Sequence, residues 1–458
     1  MRPARYTAAW LLPVTSPPVR AGAVLVGHDG RIVAAGPAAA VPLPDGALEH
    51  DLGEAALLPG LVNVHAHPEL TIFRGLLEDL PFHDWITALL DARRSAALTA
   101  EDYLAAARWH CIESIAAGIT TIGATEDSGR AFDALRESGQ RGIVYREVFG
   151  PDPARADDAL APLRVALRAM RDAETDLVRV GVSPHAPFSV SDDLFTRVAA
   201  FARVEALPVA VHAAESAAER LLVTAGGGPF RARLQARGIA TPPRGRSTIA
   251  LLERVGVLDL RPLLIHCVTV DAMDIERIAA AGASVAHCPA ANARLGHGVA
   301  PVTELLDAGV TLGLGTDSVA SNNRLDVLEE ARLAQMQQRA RARDGTILPA
   351  ARLLRLATLD GARALGLDAR TGSLEPGKDA DLCAVSLAGA HAVPVHDPEA
   401  TVIHAARAAD VIFVAVRGRV LLEQRTLKDF DVGRARADID AVARRVRNAV
   451  GATRGLLP

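Results

Sequence analysis

Residues Leu58–Leu70 read "LPGLVNVHAHPEL". The apolar run "ALLPGLVNV" ends in two imidazoles, His65 and His67, two residues apart. Residues i and i+2 of a strand share a face, so both side chains leave the strand end in the same direction. A paired grip on a metal is one reading of that pattern, and coincidence is the other. What the remaining apolar runs end with decides between them.

Seven further runs follow: "GITTIGAT", "RGIVYREV", "VRVGVSP", "LPVAVHAA", "RPLLIHC", "ASVAHCP" and "VTLGLGT". Helical stretches such as "AEDYLAAARWHCIESIAAG" separate most of them. Short β-rich runs alternating with longer helices predict βα units around a parallel sheet, and eight such units close into a barrel. The expected fold is therefore α/β, a (β/α)8 TIM barrel over residues 58–372. The flanks, 1–57 and 373–430, carry short strand signals between glycine turns, such as "AVLVG", "RIVAAG" and "ADVIFVAVRGRVLLEQ". They are expected to pair into one small β-sandwich. "GRARADIDAVARRVRNAVG" predicts a C-terminal helix within 431–458.

Composition removes several function classes. Half of the 458 residues are hydrophobic and 23% are charged, enough for a sizeable core. A net charge of −4 leaves no basic footprint for nucleic acid. No apolar stretch approaches the ~20 residues of a membrane span. The opening "AAWLLPV" is short, broken by Pro13 and followed at once by strand signals, so it reads as mature protein and not as a targeting segment. Four dispersed cysteines, Cys111, Cys267, Cys288 and Cys383, without a CxxC pair, fit a reduced cytoplasmic chain.

In barrels of this type the chemistry sits at the C-terminal ends of the strands. The first run ends in His65 and His67, the third carries Glu147, and the fourth ends in His185. The fifth carries His212 with Glu215 three residues on. The sixth ends in His266, the seventh in His287, and Asp317 follows the eighth. Only 14 histidines occur in the chain and six of them close these runs, which outweighs chance. Singly, each residue has a plainer explanation; Asp317 in "GLGTDS", for instance, would also serve as a helix N-cap. Together, imidazoles and a carboxylate at one barrel mouth suit a divalent metal, zinc first and ferrous iron as the alternative.

At these residues the chain resembles the amidohydrolase superfamily, in its cytosine-deaminase-like and chlorohydrolase-like branch. The segments are "PGLVNVHAH", "SPHAPFSVS", "VAVHAAE", "LLIHC", "VAHCPAANARLGHGVAPV", "GLGTDSVASNNRLDVLEEAR" and "GSLEPGKDADL". Within that branch it looks most like S-adenosylhomocysteine and methylthioadenosine deaminases and aminodeoxyfutalosine deaminases. The resemblance implies that His65, His67, His212 and Asp317 bind one metal and that His266 orients the hydrolytic water. It also implies that Glu215 carries a proton to a ring nitrogen and that His185 and Trp85 contact a small heterocyclic substrate. A homo-oligomer, dimer or larger, is implied as well. Some superfamily members bridge two metals with a carboxylated lysine on the fourth strand. Here the only lysines are Lys378 and Lys428, both in the C-terminal flank, so one metal is expected.

The departures concern the substrate. An ungapped alignment of "LPFHDWITALLDARRS" with the family's segment sets Arg94 where a glutamate binds ribose hydroxyls. Arginine cannot accept those bonds but can pair with a carboxylate. Ala291 stands where serine is common. The segment "TAGGGPFRARLQARGIATPPRGRSTIALLERVGVL" after the fifth run is long enough to cover a site. Arg94, or an arginine of "FRARLQARG", is expected at the pocket mouth, which would favour an acid-bearing nucleoside such as aminodeoxyfutalosine. The alternatives are a triazine chloro- or aminohydrolase, another cyclic C–N hydrolase, and a non-catalytic scaffold.

Overall fold

The structure is a computed structural model describing residues 1–454, with side chains described to residue 450. Both ends of the chain build one sheet. The N-terminal part supplies β1 (Ala4–Leu11), β2 (Val19–Val26), β3 (Ile32–Pro37), β4 (Leu48–Asp51) and β5 (Ala55–Pro59). Eight barrel strands follow: β6 (Leu61–Ala66), β7 (Ile119–Glu126), β8 (Arg141–Val148), β9 (Val178–Pro184), β10 (Ala210–Ala213), β11 (Leu263–His266), β12 (Ser284–His287) and β13 (Thr311–Leu314). The chain then returns to the first sheet with β14 (Leu382–Ser386), β15 (Val411–Val416), β16 (Arg419–Glu423) and β17 (Thr426–Leu427).

The nine-stranded sheet runs β17-β16-β15-β14-β5-β1-β2-β3, with β4 paired to β1. Tyr6, Val24, Leu57, Leu382 and Phe413 form a core of its own. The barrel is two parallel four-stranded arcs, β6 to β9 and β10 to β13. Parallel bridges Val182–Val209 and Ala66–Asp317 join the arcs at both seams. Helices cover the outside, and the barrel's inner layers are packed with Val62, Val64, Ile143, Ile265 and Ala286. Each of the eight strands overlaps one of the expected runs, β6 and β7 reaching one or two residues beyond theirs, and the helix Val432–Arg454 lies in the C-terminal segment; residues 455–458 of that expectation lie outside the described residues.

One expectation needs correction. The run "ALLPGLVNV" is two strands, β5 in the nine-stranded sheet and β6 in the barrel, so a boundary between 57 and 58 falls inside β5. Gly60 makes the break. Its N–H donates to the Asp381 carbonyl at 2.9 Å. A Cβ there would come within 2.1 Å of Thr120 Oγ1, which only glycine avoids.

A buried ion network ties the two cores together. Arg141, at the base of β8, is 1% exposed. Its guanidinium donates to Asp381 at 2.7 and 3.1 Å and to Asp379 at 2.9 Å. All four cysteines are free and buried. Among the described residues no helix is long and apolar enough to cross a membrane.

Candidate metal and active site

The strand ends converge. His65 Nε2 lies 3.2 Å from Asp317 Oδ1, and His67 Nε2 lies 3.6 Å from the same oxygen. His67 Nε2 and His212 Nε2 are 3.3 Å apart. His266 joins His65 and His212 in a group whose ligand atoms all lie within 4.8 Å of one another. All five side chains are buried.

Hydrogen bonds behind the ring fix which nitrogens face inward. His212 Nδ1 is 3.1 Å from the His185 carbonyl, so Nδ1–H donates backward and the Nε2 lone pair faces the cluster. His266 Nδ1 likewise donates to Asn292 Oδ1 at 2.9 Å. The Asp317 Oδ2 atom accepts from Ser321 Oγ at 2.7 Å, leaving Oδ1 inward. Burial pushes His67 and His212 well below the usual imidazole range, so both are neutral. Burial opposes ionisation of Asp317 too, but the His65 hydrogen bond and the surrounding imidazoles hold it well below the usual carboxylate range. Three imidazoles and one carboxylate are the donor set of a tetrahedral zinc or a ferrous site. Two facing ring nitrogens 3.3 Å apart are what a shared cation relieves. The donor set therefore fits a metal.

Two of these residues, and two near them in the chain, sit on left-handed backbone. Ala214 (φ 52°), His266 (φ 77°), Cys267 (φ 46°) and Asp317 (φ 56°) all follow or end barrel strands. Non-glycine residues there cost about 1–3 kcal/mol each and cluster at working sites. The turns swing the chain out of the sheet direction and aim the side chains across the mouth.

Glu215 faces the cluster. Its Oε1 is 3.6 Å from His266 Nε2 and accepts from His297 Nε2 at 3.1 Å. Burial raises its pKa, but His266 and the His297 hydrogen bond outweigh that, and the carboxyl stays below its ordinary range. His297 is the residue that the reading of strand ends passes over. It lies in "RLGHG", ten positions beyond His287, and only its place beside Glu215 reveals it. Glu147 lies 3.9 Å from His185 Nε2 and 4.0 Å from His67 Nδ1. Burial pushes its pKa well up. His287, by contrast, has both ring nitrogens buried without a partner and stands outside the metal-ligand groups.

Above the cluster opens a cavity of about 530 Å³. His185 lines it, with Nδ1 donating to Ser189 Oγ at 2.7 Å. Trp85 lines it with a buried, unpartnered Nε1. Phe82, Phe188 and Phe230 make an aromatic wall, with Phe188 and Phe230 stacked at 4.4 Å. Phe230 comes from the segment after β10. There the helix Pro229–Gln235 lies over the cavity, and the loop is closed at its neck by Thr241 Oγ1 donating to the Gly226 carbonyl at 3.1 Å.

Arg94 stands apart from this cavity: its side chain is 77% exposed, pairs with Asp91 on its own helix, and lines a smaller neighbouring cavity with Thr87, Phe230 and Arg233. The helix Phe82–Ser95 turns Phe82, Trp85, Ala88, Leu89 and Ala92 inward, which points Arg94 outward. Its neighbour Arg93 is the cavity residue, and Asp127 neutralises it at 2.7 Å. Arg233 and Arg237 of "FRARLQARG" both line the main cavity. Ala291 is fully buried in the helix Pro289–Arg294.

A model of the amidohydrolase family matches residues 56–421. The chain belongs to this family. The 5-methylthioadenosine/S-adenosylhomocysteine deaminase of Syntrophobacter fumaroxidans is 34% identical to it over 434 residues, 93% of this chain and 94% of the relative. A solved adenosine deaminase from Xanthomonas campestris, with bound zinc, has a TM-score of 0.86 at 30% identity and covers 97% of this chain and 98% of its own. The atrazine chlorohydrolase of Arthrobacter aurescens, complexed with zinc, gives 0.83 at 25% identity, covering 96% and 100%. This amidohydrolase is thus similar to enzymes that act at carbon bonded to nitrogen or chlorine in heterocycles.

Proposed function

We propose that this amidohydrolase is a metal-dependent hydrolytic deaminase of an adenine-type nucleoside whose far end is apolar and carries an acid. The observation that carries the reading is the Glu215 carboxylate, poised between His266 and His297 beside the His65, His67, His212 and Asp317 cluster at the floor of a deep cavity. A single divalent metal held by those four would lower the pKa of water from 15.7 towards ~7.

The protein's own groups then manage the protons. The lone pair on His266 Nε2 accepts a hydrogen bond from the attacking water and orients it. Glu215 starts as a carboxylate, so it is an acceptor first. It takes a proton from the water as oxygen bonds to the ring carbon, and passes that proton to the adjacent ring nitrogen. No negative charge accumulates on the heterocycle. The tetrahedral ring carbon then releases ammonia, with the hydroxyl proton leaving through Asp317 and His266 to the departing amine. Proton transfer of this kind contributes about 10²–10⁴-fold.

The cavity's walls support the substrate class. A flat ring meets His185 and Trp85, an apolar extension meets Phe82, Phe188 and Phe230, and a distal acid meets Arg233 and Arg237. Aminodeoxyfutalosine has those three parts. The test is ammonia release from adenosine, methylthioadenosine, S-adenosylhomocysteine, aminodeoxyfutalosine, guanine, cytosine and triazines. The highest kcat/KM is expected on an acid-bearing adenine nucleoside. Preference for a triazine, or no ammonia from any adenine nucleoside, would overturn the reading.

A further inference from the structure

Glu215 would be expected to owe its aim to its own strand, yet β10 ends at Ala213, two residues before it. The chain turns at Ala214, a non-glycine residue at φ 52°. Something must hold that turn, because a left-handed alanine relaxes when unsupported.

Two clasps grip it. On one side the Ala214 carbonyl accepts from Thr269 N–H at 2.8 Å and from Thr269 Oγ1 at 3.1 Å. On the other, the Glu219 carboxylate accepts the Ala214 N–H at 2.8 Å and the Glu215 N–H at 3.3 Å. Glu219 is 0% exposed, and its Oε1 also accepts from Thr248 Oγ1 at 2.5 Å.

The local sequence makes this arrangement notable. Ser216-Ala217-Ala218-Glu219 has the spacing of a capping box, in which the glutamate would return to the Ser216 N–H. Ser216 plays its part, its Oγ accepting the Glu219 N–H at 3.2 Å. Glu219 does not; its carboxylate reaches past the cap to the two N–H groups upstream. A helix needing only an N-cap has no use for that reach.

We propose that Glu219 is a positioning residue, holding the Ala214–Glu215 backbone so that the Glu215 carboxylate stays aimed at His266 and the cavity. This rests on the reading of Glu215 as the proton carrier. Glu219→Gln keeps an oxygen for Ala214 and Thr248 but sets an NH₂ against the Glu215 N–H. The side chain's size is unchanged, while the aim of Glu215 is lost.

The experiment is a double-mutant cycle on deamination of adenosine and methylthioadenosine, using the metal-loaded enzyme. Misplacing a reacting group by an ångström costs up to about 100-fold, so Glu219→Gln should lower kcat by about tenfold or more. KM and metal content should hold, and affinity should fall in step with kcat for an analogue whose ring carbon already bears the hydroxyl. In the Glu215→Gln background Glu219→Gln should cost nothing further, because its target is gone. Thr248→Val, which strips one donor from Glu219, should show the same dependence in weaker form and serves if Glu219→Gln does not fold. Equal losses in both backgrounds, or kcat within twofold of the parent, would overturn the proposal alone. Near-full turnover by Glu215→Gln would instead overturn the proton-carrier reading on which it stands.

Discussion

Removing the charges of Arg233 and Arg237 together tests how the substrate's far end is read. Both side chains are exposed at the cavity mouth. Neither enters an ion pair among the described residues; Arg233 Nη1 has only a 3.4 Å contact with Thr87 Oγ1. This sets them apart from Arg155, which lines the mouth but pairs with Asp158 at 3.1 Å. Exposed pairs of this type contribute about 0.2–1 kcal/mol each. Two of them should therefore raise KM for an acid-bearing nucleoside by about 2- to 30-fold, at about 1.4 kcal/mol per tenfold. The assay compares KM for aminodeoxyfutalosine and methylthioadenosine in the parent and in Arg233→Met/Arg237→Met. The ratio should shrink further between 0.1 M and 1 M salt, where the screening length drops from about 10 Å to about 3 Å. Arg94→Met, outside the cavity, should change neither KM. Equal effects on both substrates, or an effect from Arg94→Met as large as that of the pair, would refute the assignment of the mouth arginines to a distal acid.

Three further outcomes are expected. Glu215→Gln should retain metal, read by elemental analysis, and lose about 10²–10⁴-fold in kcat; retention of turnover would remove it from the proton path. Purified protein should hold close to one zinc or iron per chain and lose most of it in His65→Ala, whereas two metals per chain would overturn the single-site argument. Arg141→Met leaves the buried Asp379 and Asp381 without their shared guanidinium. It should destabilise the fold by about 3–5 kcal/mol in denaturant unfolding, with kcat of the folded fraction intact; a loss under about 1 kcal/mol would mean that Arg370 and the Arg417 N–H suffice for those carboxylates.

The barrel was readable because its strands are short, buried and mostly apolar, with imidazoles at or next to their C-terminal ends. A parallel strand buried on both faces reads as a near-continuous apolar run, so His65, His185, His212 and His266 stood out at the strand ends and marked the mouth. The same uniformity hid the Gly60 break. β5 and β6 are equally buried, and nothing in "ALLPGLVNV" says that half belongs to another sheet. Arg94 shows a different limit. An ungapped alignment places a residue in sequence, but on a helix each step turns the side chain by about 100°. One position separates Arg93, held against Asp127 in the cavity wall, from Arg94, which is exposed and lines only a smaller neighbouring cavity.

The site also depends on conformations that its residue types do not announce. Glycine would have flagged a left-handed turn; Ala214, His266, Cys267 and Asp317 do not. Each was spelled by the sequence as an ordinary strand end, yet each costs about 1–3 kcal/mol to hold. That cost is met by hydrogen bonds from neighbouring elements. Thr269 and Glu219 hold Ala214, and the His65 carbonyl accepts the Asp317 N–H at 3.0 Å across the barrel seam. Such partners lie on other strands and loops, where no periodicity or motif spacing connects them to the residue they hold. The clustered side chains could therefore be read from where strands end, while the contacts around Glu215, from His297 and Glu219, required the folded chain.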